Sequence, residues 1–228
     1  MHPELRLDFS NFFPLTPLTN GKSVVSSYQK LVMPNHRETR EGRGLSEELI
    51  IRSAAPTLAG LKTGSLFPCR FDSREQLTDD IRGINRRLSR KGLRLLPLRF
   101  SDRDALLYLY RPAWLQRDLE NAEARSILVQ AGYDDFRPGR WFPHLLSRFR
   151  GNGEFPHEIG LFLSYPPEDV RGFIENKGRR CKCAGCWKVY GDAEQARRRF
   201  EEYHSCTARY CRQYAMGVSM DDLSVTVS

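Results

Sequence analysis

No stretch of these 228 residues approaches the roughly 18 uninterrupted apolar positions of a membrane-spanning helix. The first residues, MHPELRLDFSNFF, mix charges with aromatic rings and lack the basic and apolar regions of a secretory signal. The chain therefore reads as cytoplasmic, with no membrane insertion. Cysteine is sparse: there are six, five of them between 181 and 211. That is far below the density of a disulfide scaffold and leaves metal, redox chemistry or buried thiols as their uses. Also missing are a Walker loop, GxGxxG, HExxH, GxSxG and an EF-hand loop, and with them the chemistry that each spacing serves. There is no internal repeat and no low-complexity tract. Apolar surface is plentiful: 40% of residues are hydrophobic, with 13 Phe, 9 Tyr and 3 Trp. That composition excludes wholesale disorder, and the length fits one sizeable domain or two small ones.

Charge is uneven. Lys and Arg number 36 against 28 Asp and Glu, a formal net charge of +8. Residues 171 to 212 hold eleven basic and five acidic side chains, a local net of +6. Such a patch attracts nucleic acid, an anionic cofactor or an acidic partner. A solvated face with no partner is the plainer alternative.

Residues 1–44 carry Pro14, Pro17, Gly21, Pro34, Gly42 and Gly44 without sustained periodicity and read as an irregular N-terminal extension. SEELIIRSAA reads as a helix capped by Ser46 that stops before Pro56. A loop through Gly60 and Gly64 follows. Asp72 and Glu75 form a capping-box pattern, after which Leu77, Ile81, Ile84 and Leu88 recur at helical spacing. Leu93 to Phe100 and Ala105 to Arg111 read as a hairpin around Ser101–Asp104, with Pro97 placing its strand at an edge or a bulge. From Pro112 the pattern is helical as far as the Gly151-Asn152-Gly153 break, and HEIGLFLSY is too apolar to lie exposed. Pro166-Pro167 opens a further helix that closes near Gly178. Asp192 and Gln195 cap a last long one, with Ala196, Phe200, Tyr203, Thr207, Tyr210 and Tyr214 in one stripe. The expected fold is α+β, mostly helical, with a small central antiparallel hairpin or sheet. A single domain over 45–216, its C-terminal half basic and Cys-rich, is followed by a tail over 217–228.

Cys183 and Cys186 form a C-x2-C pair, and Ala184-Gly185 between them permits the tight turn that lets two thiolates converge on one ion. Cys181 adds a third sulfur, and Arg179, Arg180, Lys182 and Lys188 are expected to lower the thiol pKa values. A fourth ligand for zinc or iron would come from His204, Cys206 or Cys211. On an intact helix Cys206 and Cys211 stand about 140° apart, and His204 and Cys211 are about 10.5 Å apart along the axis, so at most one of the three can join. Buried structural thiols and a redox dithiol at Cys183 and Cys186 are the alternatives. For nucleic acid, Arg197, Arg198 and Arg199 lie near Lys188, Trp187 and Tyr190, although core packing is the preferred reading of those two rings. His157 and Glu158 head an apolar helix as capping groups or as an acid/base pair. Cys69 stands alone in a loop.

FPHEIGLFLSYPPEDVRGFIENKG followed by KCAGCWKVYGD, with APTLAGLKTGSLF and KGLRLLPLRF before them, resembles the uncharacterised bacterial domain-of-unknown-function family numbered thirty-seven ninety-three, over roughly residues 46 to 216. The resemblance implies a setting of anaerobic bacteria, with neighbouring genes for ferrous-iron uptake and flavodoxin, and so an acidic partner such as a flavodoxin. It also implies a His-Cys pair in relatives where this chain has Ala54-Ala55, and Tyr in some relatives at Cys186. Two functions are carried forward: a metal-binding (zinc or iron) or thiol-redox-responsive protein, and a nucleic-acid or anionic-partner module using the 171–212 surface.

Overall fold

The computed structural model describes residues 44–100, 103–150 and 156–226. The extension expected over 1–44 lies outside them, Gly44 excepted.

Helix α1 (Glu47–Leu58) starts at Ser46, whose hydroxyl accepts from the Leu49 N–H. It does not stop before Pro56. The backbone leaves helical geometry at Ala54 (φ −138°, ψ 16°), and this kink lets the chain continue for another turn with Pro56 inside it. Residues expected as loop form strand β1 (Gly64–Arg70). Helix α2 (Arg74–Leu88) is capped by Ser73, one residue after the expected Asp72, with the Ser73 hydroxyl accepting from the Gln76 N–H. Leu77, Ile81, Ile84 and Leu88 are all buried, each contributing roughly 1.5–3 kcal/mol before ordering costs.

Strands β2 (Arg94–Phe100) and β3 (Asp104–Tyr110) form the expected antiparallel hairpin, and β1 pairs along the other side of β3 in the order β1-β3-β2. Pro97 satisfies both expectations, since β2 is an edge strand and its register slips between Pro97 and Arg99. Pro68 likewise sits on the other edge, where no ladder N–H is lost.

The sheet is covered on both faces. One covering layer contains α1 and α2; the other holds α3 (Pro112–Leu119), α4 (Ala122–Gln130), α5 (Trp141–Arg150), the one-turn α6 (Ile159–Phe162) and α7 (Pro167–Asn176). Ala105, Leu107 and Leu109 face the first layer, and Leu106, Tyr108 and Tyr110 the second. That double burial is why β3 reads as an uninterrupted apolar run. HEIGLFLSY is buried as expected, but as a single turn with Glu158 at its N-cap.

The chain then makes a two-residue-per-strand ribbon, β4 (Cys183–Ala184) with β5 (Lys188–Val189), and enters α8 (Ala193–Ala215), capped by Asp192. Helix α8 joins the first layer, burying Cys206 and Tyr210 there. Residues expected as a tail close that layer: α9 (Met220–Leu223) buries Met220 and Leu223, and Val225 N–H donates to the Leu58 carbonyl at 3.0 Å. The result is an α+β fold with a three-stranded antiparallel sheet between helical layers.

Candidate functional site

The C-x2-C ribbon is held by a carboxylate that the sequence did not single out. Asp169, in the first turn of α7, is 3% exposed. Its Oδ2 accepts from the Trp187 indole N–H at 2.7 Å, and its Oδ1 accepts from the backbone N–H groups of Tyr190 (2.6 Å) and Gly191 (2.7 Å). Trp187 is buried against Phe200 and Tyr165, as core packing requires. Gly185 has no alternative: a Cβ there would come within 2.2 Å of the Phe200 ring on α8.

The ribbon brings one cysteine beside a histidine. Cys186 Sγ lies 3.9 Å from His204 Nε2 on α8, and the Tyr165 hydroxyl donates to the Cys186 carbonyl at 3.2 Å. Beside them, Lys62 lies with Nζ 5.5 Å from the centroid of the Tyr165 ring and 5.6 Å from that of Tyr203. Burial dominates the titration of this centre. It pushes the Cys186 thiol up, with Lys62 opposing; it pushes His204 down; and it pulls Lys62 down to about 8. The expected lowering of thiol pKa values by basic neighbours is overturned for Cys183 and Cys186, because desolvation outweighs the nearby cations; burial likewise pushes the Cys206 and Cys211 thiols up.

Next to Lys62, Thr63 donates from Oγ1 to Asp118 Oδ2, and its N–H donates to the Ser164 hydroxyl at 2.7 Å. Ser164, two residues after α6, holds φ of 60°, a strained left-handed residue that positions both its hydroxyl and Tyr165. Lys62, Asp118, Ser164, Tyr165, Cys186, Tyr203 and His204 thus form one centre drawn from five separate parts of the chain.

The other candidates disperse. Among the described residues no three His, Cys, Asp or Glu side chains gather so as to hold a metal ion. Of the set Cys181, Cys183, Cys186, His204, Cys206 and Cys211, the hydrogen-bond geometry pairs Cys186 with His204. Cys206 is buried in the first layer with Cys211 at its margin, Cys183 packs at the Trp187–Phe200 cluster, and Cys181 is half-buried. Cys69 is not in a loop but buried in β1. Two of the seven expected cations serve the backbone: Lys182 Nζ donates to the Gly191 carbonyl at 2.6 Å and Lys188 Nζ to the Gly178 carbonyl at 2.9 Å. Arg198 pairs with Glu194 at 3.6 Å, and Arg179, Arg180 and Arg197 are exposed. Arg199 is half-buried. Three consecutive helical residues fan out at about 100° each, so Arg197, Arg198 and Arg199 share no face.

His157 and Glu158 lie in different surroundings. Glu158 is 2% exposed and bound to Arg148 at 3.0 Å, whereas the His157 ring lies 4.9 Å from that of Phe173 and lines a cleft of about 20 Å³. Ala54 and Ala55, where the resemblance implies His-Cys in relatives, are fully buried. No helix among the described residues is long and apolar enough to cross a membrane.

No curated protein and no solved structure matches the chain. The model of the family described as protein of unknown function DUF3793 matches residues 50–224, well over half of the chain and including the buried α9, and the protein belongs to that family.

Proposed function

We propose that this is a thiol-responsive protein in which Cys186 is the reacting sulfur and His204 its proton acceptor. The observation that carries this reading is the 3.9 Å approach of Cys186 Sγ to His204 Nε2. At rest the thiol is protonated and the imidazole neutral, since burial disfavours the charged form of each. When an electrophile arrives, sulfur attacks and its proton passes to His204, the arrangement by which a weak nucleophile is activated by an adjacent base. A group added to Cys186 would press on the Tyr165–Cys186 hydrogen bond and on the Gly185–Phe200 contact, which links the modification to the packing of α8.

The test is iodoacetamide labelling of the full chain with peptide mapping between pH 7 and 9. His204→Gln, at an exposed helix position, is expected to leave the melt unchanged and to slow labelling of Cys186 by at least about fivefold without affecting Cys181. A Cys186 rate indifferent to His204→Gln, or no labelling of Cys186 in the folded protein, overturns the proposal.

A further inference from the structure

Outside the 171–212 surface a group of arginines does converge. Arg82, Asn85, Arg86 and Ser89 follow one another at steps of three, one and three, and so share one face of α2 and its cap. Beyond Ser89 the chain makes a single turn and reverses at Gly92, whose φ of 72° is left-handed. Strand β2 then returns beside the helix, and Asn85 fixes the two together. Its Nδ2 donates to the Leu95 carbonyl and its Oδ1 accepts from the Leu95 N–H, both at 2.8 Å. Arg94, one residue earlier, lines an open groove of about 370 Å³ with Arg82, Asn85, Arg86 and Ser89. The Arg86 fork lies back along the helix, its Nη2 3.7 Å from where a Cβ on Gly83 would stand. Arg82 is paired with Asp79 at 2.9 Å, but among the described residues no carboxylate forms an ion pair with Arg86 or Arg94. The adjacent Arg87, by contrast, is held by Glu47 at 2.6 Å and Asp221 at 2.8 Å. Like charges four residues apart on a helix repel. The negative end of the helix dipole accounts for Arg86, and not for Arg82 in mid-helix or Arg94 on the strand.

We propose that the groove between α2 and β2 binds a small anion with two linked phosphoryl groups. Guanidinium forks pair bidentately with phosphate oxygens. Three of them, from two elements, match a diphosphate better than a single phosphate, and three cations with one carboxylate leave a surplus of positive charge for it. The Asn85 amide is engaged by Leu95, so Arg82, Arg86 and Arg94 carry the contacts. The Ser89 hydroxyl, 3.4 Å from the Arg86 carbonyl, can turn to join them. The volume is that of a small-ligand site. Among the described residues no aromatic ring lines the groove, so it offers a base no face to stack on, and recognition rests on the phosphoryl groups. The groove shares no residue with the centre around Cys186, and the two readings stand or fall separately.

The experiment titrates the full chain calorimetrically with inorganic pyrophosphate and, separately, with orthophosphate at low ionic strength. Pyrophosphate is expected to bind at least about tenfold more tightly. Arg86→Gln and Arg94→Gln, both at exposed positions, should leave the melt unchanged and each weaken pyrophosphate by at least about tenfold. Arg197→Gln, at an exposed position of α8, removes the same net charge and should change the affinity by less than about twofold. A second measurement needs no variant: pyrophosphate should protect Arg86 and Arg94, and not Arg197, from phenylglyoxal, read by peptide mass. No saturable pyrophosphate binding, equal affinity for the two anions, equal weakening by Arg197→Gln, or Arg86 and Arg94 left unprotected overturns the proposal. A DNA duplex that displaces pyrophosphate at a lower concentration of phosphate groups also overturns it, in favour of a nucleic-acid backbone on the same arginines.

Discussion

The guanidinium of Arg111 donates to the Val225 carbonyl at 2.8 Å, joining the end of β3 to the last described turn of the chain. Arg111 is 2% exposed. It also donates to the carbonyls of Thr57 (3.0 Å), Leu58 (2.9 Å) and Lys91 (3.2 Å). Two of those carbonyls end α1, where the helix dipole is negative and intrahelical partners run out. A buried cation is thus compensated by four backbone oxygens from three segments.

Two changes probe this clamp. Arg111→Met leaves buried carbonyls unsatisfied and is expected to cost about 3–5 kcal/mol in urea unfolding. Removing residues 225–228 takes away one acceptor of Arg111 and the Val225–Leu58 hydrogen bond, for about 1–2 kcal/mol. A truncated chain as stable as the full one would restore the reading of this segment as a tail.

The stripe of α2 and the hairpin were legible because each is encoded locally: a four-three-four spacing for the helix, and two apolar runs around a polar turn for the strands. Strand β1 was not, since Gly64 and Pro68 argue for a loop and its strand character comes from pairing with β3, about 40 residues away in sequence. Helix geometry sets Cys206 and Cys211 apart around α8, yet both pack at the first layer, and spacing along one helix says nothing of what packs beside it. Cys186 meets His204 because Asp169 and Phe200 fix the ribbon on α8. Lys62 joins them across more than 100 residues of sequence. No periodicity records that meeting; the only trace was a lysine in an otherwise apolar run, LAGLKTGSLF.

Asp169 offers a second test. In Asp169→Asn the oxygen can keep the Tyr190 and Gly191 donors only by turning the amide toward the Trp187 N–H, donor against donor. The expected cost is about 2–4 kcal/mol despite the near-equal size. Cys183 and Cys186 should also become more open to alkylation, since their ribbon loses its anchor. A change below about 0.5 kcal/mol, within the range of ordinary surface substitutions, would show that the three hydrogen bonds contribute little.

Lys62 makes a prediction in pH. Its amine titrates near 8 in the folded protein and near 10.4 when unfolded. Between those values the unfolded chain holds the extra proton, so this group makes stability rise with pH. Below pH 8 the lysine is charged in both states, and folding bears the full cost of burying it. Lys62→Met removes that cost. Unfolding in urea at pH 7 should show the variant more stable by about 2 kcal/mol, a figure reduced for the partial exposure of the side chain and the loss of its ring contacts. The advantage should shrink through pH 8 to 10 and be gone above the upper value. An advantage that stays constant with pH would mean that Lys62 is solvated like any surface lysine; a variant less stable at pH 7 would mean that the Tyr165 and Tyr203 faces stabilise the ammonium by more than burial penalises it.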